Sequence, residues 1–182
     1  MSAVRVGLGA GEPEPPVDTG RWVEADLELP DGGRLTVVSA YIHSGTVSQP
    51  ETMVAKYAYL EKVTARLREL AATGEKVVLA GALNIAPRHV DSKHWKGRLK
   101  SAGGLPEERA YVDVWLDQVG LVDLGRVHGG EGPGPFTWWS WRGRAFDNDS
   151  GWRIDYQLAT PSLAERAVKV EVDRAPSHEE RW

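Results

Sequence analysis

The residues best placed for chemistry follow a short apolar run near the middle of the chain. Lys76 to Ala80 has the length and apolar character of a strand that is buried on both faces. Gly81 comes next, and Asn84 is the polar residue at which the strand should end, ahead of Pro87. In open α/β sheets, ligands bind just beyond the carboxyl ends of the strands. The sequence therefore predicts a ligand site around Asn84.

A basic loop follows this site and is the second candidate. Its cations flank one tryptophan, in the order Arg88, Lys93, Trp95, Lys96, Arg98 and Lys100. Clustered cations beside an aromatic ring suit contacts with a nucleic-acid backbone and stacking on bases. The alternative is a solvated charged loop. Arg142, Arg144 and Arg153 could extend the same basic face.

Asp155 is the third candidate, because it lies in a predicted strand between Ile154 and Tyr156. An unpaired carboxylate is costly to bury, so Asp155 needs a partner. Arg153 or a backbone amide would serve as well as a histidine.

Periodicity, turn and capping signals predict the elements that position these residues. Strands are predicted at residues 23–29, 35–42, 76–80, 121–124, 136–141, 152–159 and 168–172, and helices at 50–72, from 106, and at 162–167. Ser48 and Glu51 form a predicted capping box for the first helix. Residues 1–20 are expected to be a loop or a frayed edge, ahead of the first predicted strand. Strands mixed with helices predict one α/β domain over residues 1–182, layered helix–sheet–sheet–helix.

Five segments also resemble one known family, and they occur in the family's order. They are residues 40–45 (AYIHSG), 81–86 (GALNIA), 104–109 (GLPEER), 136–142 (FTWWSWR) and 151–156 (GWRIDY). Together they resemble the exonuclease III-type apurinic/apyrimidinic endonucleases of the endonuclease/exonuclease/phosphatase superfamily. The resemblance implies a deoxyribonuclease I-like sandwich.

The resemblance also implies hydrolysis of double-stranded DNA, 5′ to abasic sites and at 3′ ends, with Mg²⁺ or Mn²⁺. Tyr41 would contact the scissile phosphate, Asn84 would bind a phosphate oxygen or position water, and Asp155 would orient a histidine. Trp138, Trp152 and Ile154 would line a pocket for the abasic sugar. Each residue also has a structural alternative: a half-buried strand tyrosine, a turn cap, a paired carboxylate, or core tryptophans.

The chain departs from the family pattern at residue 82, where Ala82 replaces the aspartate of the central motif. We also expect the family's metal-binding glutamate and its C-terminal Ser-Asp-His element to have no counterpart. The fold would then be incomplete at both ends, unpaired sheet edges would favour association, and little nuclease turnover would remain. The alternatives are a non-catalytic DNA-binding or partner-binding module, and an enzyme for a phosphorylated lipid or small molecule.

Composition narrows the class of protein. The chain has 182 residues, a net charge of −4 and no cysteine, and no apolar run approaches 18 residues. These features argue against disulfides, thiolate metal sites, a membrane span and non-specific coating of nucleic acid. We expect a cytoplasmic, nucleoid-associated protein.

Overall fold

The computed structural model describes residues 3–9, 13–175, 177 and 179–180. Its strands are β1 (Ala3–Val6), β2 (Trp22–Glu28), β3 (Arg34–Tyr41), β4 (Lys76–Ala82), β5 (Val122–Asp123), β6 (Trp138–Trp139), β7 (Gly151–Trp152) and β8 (Asp155–Ala159). Its α-helices are α1 (Pro50–Ala72), α2 (Trp95–Arg98), α3 (Pro106–Asp113), α4 (Leu124–Gly129) and α5 (Pro161–Ala164). A 3₁₀ turn spans His89–Asp91, and a π-helical segment, Val114–Gln118, continues α3.

Six strands form one mixed sheet in the order β1-β2-β3-β4-β8-β5, and β6 and β7 form a separate two-stranded ribbon. The predicted hairpin is confirmed, since β2 and β3 pair antiparallel around the turn at residues 30–33. Strands β3 and β4 are parallel, and α1 makes the crossover between them. The carboxyl ends of β3 and β4 therefore lie at the same edge of the sheet.

The hydrophobic core lies between one face of the sheet and the helices. Its largest buried side chains include Trp22 and Leu79 of the sheet, Tyr59 and Leu60 of α1, and Trp115 of the π-helical segment. Burial of such side chains contributes roughly 1.5–3 kcal/mol each. This packing fixes α1 and α3 against the strands and so fixes the loops at the strand ends.

The opposite face of the sheet is more open. Val6 of β1 is 68% exposed, and Val78 of β4 is only half-buried, whereas Val77 and Leu79 are buried. The prediction that residues 76–80 are buried on both faces is therefore wrong for the open face. Strands β1 and β5 are the edges of the sheet, and association through those edges stays a prediction.

The residues of β2 alternate between buried and exposed as predicted, but the face predicted to be exposed is the buried one. Trp22 and Glu24 face the core, while Val23 and Leu27 are each 37% exposed. A glutamate can occupy this position because its carboxylate accepts hydrogen bonds from Trp22 Nε1 (2.7 Å) and from Arg66 Nη2 (2.6 Å). The ion pair offsets the cost of burying the charge.

The start of α1 also differs from the prediction. Gln49 occupies the N-cap position with no side-chain cap, so the predicted Ser48–Glu51 capping box does not form. Thr52 instead accepts a hydrogen bond from Thr46 N and donates one to Gln49 O, both at 2.8 Å. The helix ends as predicted, at Ala72, and Gly74 follows with a φ of +72° that suits glycine.

Three strand predictions need correction. Residues 3–6 form β1 within the expected loop, because they pair with β2 in register from Ala3–Asp26 to Val6–Val23. The predicted strand at 152–159 is two strands, since β7 pairs with β6 whereas β8 pairs with β4 and β5. Residues 168–172 have no strand structure, and Val168 is 93% exposed.

Within the described part of the chain, no helix is long and apolar enough to cross a bilayer.

Candidate functional site

Three candidate residues form one row across the ends of three neighbouring strands. Tyr41 of β3 is the register partner of Ala82 of β4, and Ala82 is the register partner of Asp155 of β8. Side chains in such a row lie on the same face of the sheet. The predicted site at the exit of β4 therefore combines residues that are more than 100 positions apart in sequence.

These strand ends line a cleft of about 520 Å³, a size typical of small-molecule sites, which span about 300–1,000 Å³. Its lining residues are Tyr41, Ser44, Ala82, Asn84, Arg98, Ala102, Trp138, Ser140, Trp152, Ile154 and Asp155. The cleft brings together the predicted strand-exit residues, the predicted pocket residues and Arg98. Ser44, Ala102 and Ser140 were not predicted, although each lies in or beside a segment that carries the family resemblance.

Asn84 is held in place by its backbone and by its amide. Its φ is +52°, in the left-handed region that asparagine tolerates better than most residues. Its Nδ2 donates to Ile42 O at 2.8 Å, and its backbone N donates to Ile154 O at 3.2 Å. The side chain therefore joins the exits of β3 and β4, which is more than a turn cap.

A buried ion pair, which the sequence did not predict, supports the backbone of two residues that line the cleft. Lys56 and Glu108 are both fully buried, with Nζ and Oε1 2.6 Å apart. Lys56 Nζ also donates to Ser44 O and Asn84 O, each at 3.0 Å. Burial lowers the pKa of Lys56, and the adjacent Glu108 carboxylate opposes that shift. The spacing of Met53, Lys56 and Leu60 on α1 is a signal that could have placed Lys56 on the buried face.

Glu108 extends this network to the loop before α3. Its Oε2 accepts hydrogen bonds from Gly103 N (2.6 Å) and Leu105 N (3.1 Å). One ion pair thus connects the exits of β3 and β4 with the start of α3. This gives the glutamate of the Leu-Pro-Glu-Glu-Arg segment a structural role.

Asp155 pairs with a hydroxyl, and Arg153 is not its partner. Thr137 Oγ1 donates to Asp155 Oδ2 at 2.6 Å and accepts from the backbone N of Ile154 and of Asp155, each at 3.1 Å. Burial raises the pKa of Asp155, and the hydrogen bond from Thr137 opposes that rise. The half-buried carboxylate is therefore tuned towards accepting a proton.

Arg153 is buried in a separate ion cluster, so it does not extend the basic face. Its Nε lies 2.7 Å from Asp91 Oδ1, and its Nη1 lies 2.8 Å from Asp123 Oδ2. Arg126 also binds Asp91. This cluster fastens the 3₁₀ turn after β4 to β5 and to the segment between β7 and β8.

The pocket wall is aromatic. Trp138 and Trp152 are register partners in the β6–β7 ribbon, and Ile154 lies beyond them. Trp138 is 43% exposed, in contrast to the fully buried Trp22 and Trp115. The alternative that Trp138 is a core residue is therefore wrong.

Most of the predicted basic loop lies outside the cleft lining. Lys93, Lys96 and Lys100 are exposed, as is Arg142 beyond β6. The loop also includes two partnered groups: Arg88 lies 3.9 Å from Asp113, and Trp95 faces the Arg109 guanidinium at 5.2 Å. Arg98 is the residue of the loop that lines the cleft.

The described residues do not form a complete site for a divalent metal. Across residues 3–9, 13–175, 177 and 179–180, no group of three histidine, aspartate or glutamate side chains is arranged to hold a metal ion. Mg²⁺ and Mn²⁺ prefer several oxygen ligands, whereas this cleft presents one carboxylate, Asp155, beside the methyl group of Ala82. His178, the last histidine of the sequence, lies outside the described residues.

Comparison with known proteins identifies the family. Residues 11–177 match the endonuclease/exonuclease/phosphatase family. The chain belongs to this family. Within it, the chain is 34% identical over 161 residues to an exodeoxyribonuclease III of Haemophilus influenzae, which confirms the exonuclease III-type resemblance. That match covers 82% of this chain and 58% of the relative.

Two solved structures share the family fold. A 3′ phosphatase from Neisseria bound to a product DNA hairpin superposes with a TM-score of 0.80 at 28% identity. An AP endonuclease from Archaeoglobus fulgidus superposes with a TM-score of 0.77 at 25% identity. Each match covers 97% of this chain and 66% of the other. The predicted α/β, deoxyribonuclease I-like fold class is confirmed, and the chain spans about three-fifths to two-thirds of the length of these relatives.

Proposed function

We propose that the chain is an exodeoxyribonuclease III-type DNA repair protein whose cleft binds double-stranded DNA at abasic sites and at 3′ ends. One observation carries the proposal: the row of strand-end residues and the tryptophan pair line the same cleft. Polar groups on one wall and aromatic groups on the other suit a phosphate joined to a sugar. The names of the relatives, an exodeoxyribonuclease III and a DNA-bound 3′ phosphatase, support the same substrate.

The two walls have different tasks in this proposal. The exposed Tyr41 hydroxyl and the anchored Asn84 amide bind phosphate oxygens by hydrogen bonds. Trp138, Trp152 and Ile154 receive an unstacked sugar, because extruded nucleotides pack between aromatic and apolar side chains. The exposed cations Lys93, Lys96 and Lys100 follow the duplex backbone, where each phosphate contact releases counterions. A DNA partner would make the expected nucleoid-associated location reasonable.

Binding is proposed to survive without efficient hydrolysis. A methyl group at Ala82 neither accepts a proton nor binds a cation, and losing one essential catalytic group can cost several powers of ten in rate. Asp155 can accept a proton, but the attacking water must also be oriented and activated by a second group. Mg²⁺ or Mn²⁺ stays the expected cofactor of the family, and Asp155 alone would not complete its ligand set.

An abasic duplex assayed in two ways tests the proposal. A gel shift with chelator present should give a retarded complex that weakens as salt rises. A denaturing gel with Mg²⁺ or Mn²⁺ should show no incision above background. Efficient incision that chelation abolishes would contradict the loss of hydrolysis, whereas absence of any complex would contradict the DNA-binding function itself.

A further inference from the structure

The buried pair Lys56–Glu108 contacts the polar wall of the cleft through the backbone. Lys56 Nζ donates to Ser44 O and Asn84 O, each at 3.0 Å, and to Glu108 Oε1 at 2.6 Å. An ammonium group has three donors and no acceptor, so this lysine uses its full hydrogen-bonding capacity. Ser44 and Asn84 line the cleft, whereas Lys56 and Glu108 are themselves fully buried.

Gly103 connects the carboxylate of this pair to the aromatic wall. Its N donates to Glu108 Oε2 at 2.6 Å, and its O accepts from Ala86 N at 2.7 Å. A Cβ at this position would lie 2.9 Å from Asn84 O and 3.2 Å from Cζ3 of Trp152, and the φ of Gly103 is +86°. Glycine is therefore required here, and its backbone packs against both Asn84 and Trp152.

Stability alone does not account for this ion pair. Taking two charges out of water costs about as much as their attraction gains, and well-packed apolar side chains of similar volume often stabilise a core as well or better. A fully bonded polar network, by contrast, restricts its surroundings to one geometry. Asn84 is a residue that needs such support, because its φ of +52° is uncommon for a residue with a side chain.

We propose that Lys56 and Glu108 are a positioning pair that sets the separation of the two cleft walls, and with it the preference for abasic over intact DNA. Lys56 fixes Asn84 on the polar wall, and Glu108 fixes Gly103, which separates Asn84 from Trp152. Without the pair, the two walls are no longer held at one separation, and an extruded sugar loses its close fit. The DNA preference rests on the proposed function, whereas the position of Asn84 can be measured without DNA.

Two variants separate positioning from stability. Lys56→Met leaves the Glu108 carboxylate buried without its cation and should lower the melting temperature strongly. Lys56→Met combined with Glu108→Gln removes both charges and keeps a side-chain oxygen for Gly103 N, so this double variant should melt above Lys56→Met. It still lacks the hydrogen bonds to Ser44 O and Asn84 O. We therefore expect it to regain stability without regaining the geometry of the cleft.

Amide hydrogen exchange, measured by NMR, reports that geometry in the absence of DNA. The Asn84 amide donates to Ile154 O at 3.2 Å. In the double variant, its exchange relative to the amides of β4 should be about tenfold faster than in the wild type. Lys56→Arg keeps the charge but replaces the compact ammonium by a planar fork. It should show the same change to a smaller degree, and it keeps the test available should the double variant unfold.

Arg66→Met is the matched control, because it breaks another ion pair of α1. Arg66 Nη2 lies 2.6 Å from Glu24 Oε2, and neither residue lines the cleft. This variant should lower the melting temperature but leave the relative exchange of Asn84 unchanged.

The same proteins are then titrated with an abasic duplex and a matched intact duplex by fluorescence anisotropy, with chelator present. The wild type and Arg66→Met should share one ratio of the two Kd values, and the ratio should fall to about one in the double variant. A double variant that keeps the wild-type ratio would overturn the inference, because the pair would then be structural only.

The two measurements distinguish failure of the inference from failure of the proposed function. Unchanged relative exchange at Asn84 in the double variant would overturn the positioning role by itself, whatever the DNA result. A wild-type chain that binds neither duplex would overturn the proposed function and, with it, the claimed DNA preference.

Discussion

Ala82 and Asp155 are direct register partners across β4 and β8, at the mouth of the cleft. Side chains opposite each other in an antiparallel pair have Cβ atoms about 4.5–5.5 Å apart. A carboxylate at residue 82 would therefore face Asp155 closely. The alanine removes both a cation ligand and a charge from this position.

Restoring the carboxylate alone should not restore hydrolysis. We expect Ala82→Asp to leave incision of an abasic duplex in Mg²⁺ at the wild-type background, because two carboxylates do not complete a metal site or supply a base. Denaturing gels measure incision, and Ala82→Asn is the uncharged control. Robust incision by Ala82→Asp would show that other residues of the chain supply the missing groups, with Glu179 and His178 the first to examine.

Trp138 should contribute to recognition more than to stability. It is 43% exposed, so Trp138→Ala should melt close to the wild-type temperature but lose the preference for abasic over intact DNA. Trp115→Ala is the contrasting variant, since this fully buried ring donates from Nε1 to Thr64 at 2.8 Å. It should cost about 3–5 kcal/mol of unfolding free energy. A Trp138→Ala chain that unfolds would contradict the pocket assignment.

Removing the buried lysine should destabilise the fold strongly. Lys56→Met leaves Glu108 buried without its cation, which typically costs about 3–5 kcal/mol. Arg68→Met on the same helix is the control, because Arg68 is exposed. That variant should lose only about 0–1 kcal/mol. Urea unfolding measures both, and equal losses would be inconsistent with the proposed network.

Asp155 should make stability depend on pH. Because burial raises its pKa in the folded state above the ordinary 3.8, the folded chain holds this proton more tightly than the unfolded chain. The stability contributed by the protonated form is present at low pH and is lost as the pH rises through the folded-state pKa. Asp155→Asn should therefore melt above the wild type at pH 7, and the difference should shrink towards about pH 4.

The matched control for Asp155 is Asp117→Asn, which changes an exposed aspartate of the π-helical segment. It should show little difference from the wild type at either pH. If the melting temperature of the wild type does not rise relative to that of Asp155→Asn on acidification, the pKa of Asp155 is not raised.

Local patterns predicted the elements that have strong local signals. The hairpin of β2 and β3, the long α1 and the strand before Asn84 follow from alternation, helical spacing and glycine stops. The cleft residues followed from motifs that mark the strand ends. These parts of the fold depend on neighbours in sequence, so the sequence could supply them.

Long-range ion pairs explain the buried charged residues that local patterns did not predict. Glu24 is buried because Arg66, 42 positions away, binds it, and Lys56 is buried because Glu108, 52 positions away, does. For the same reason, Arg153 binds Asp91 and Asp123 and does not extend the predicted basic face. Spacing within one element cannot show which distant charge will meet it.

The most direct test of the account is a fluorescence anisotropy titration of an abasic duplex against a matched intact duplex, with chelator present, at two salt concentrations. We predict that the abasic duplex binds more tightly and that log K falls with log salt by about 0.9 for each phosphate contact. Lys96→Ala should reduce this slope by about one without changing the abasic preference. Equal affinity for the two duplexes, or binding that is independent of salt, would contradict the claim that this cleft recognises DNA.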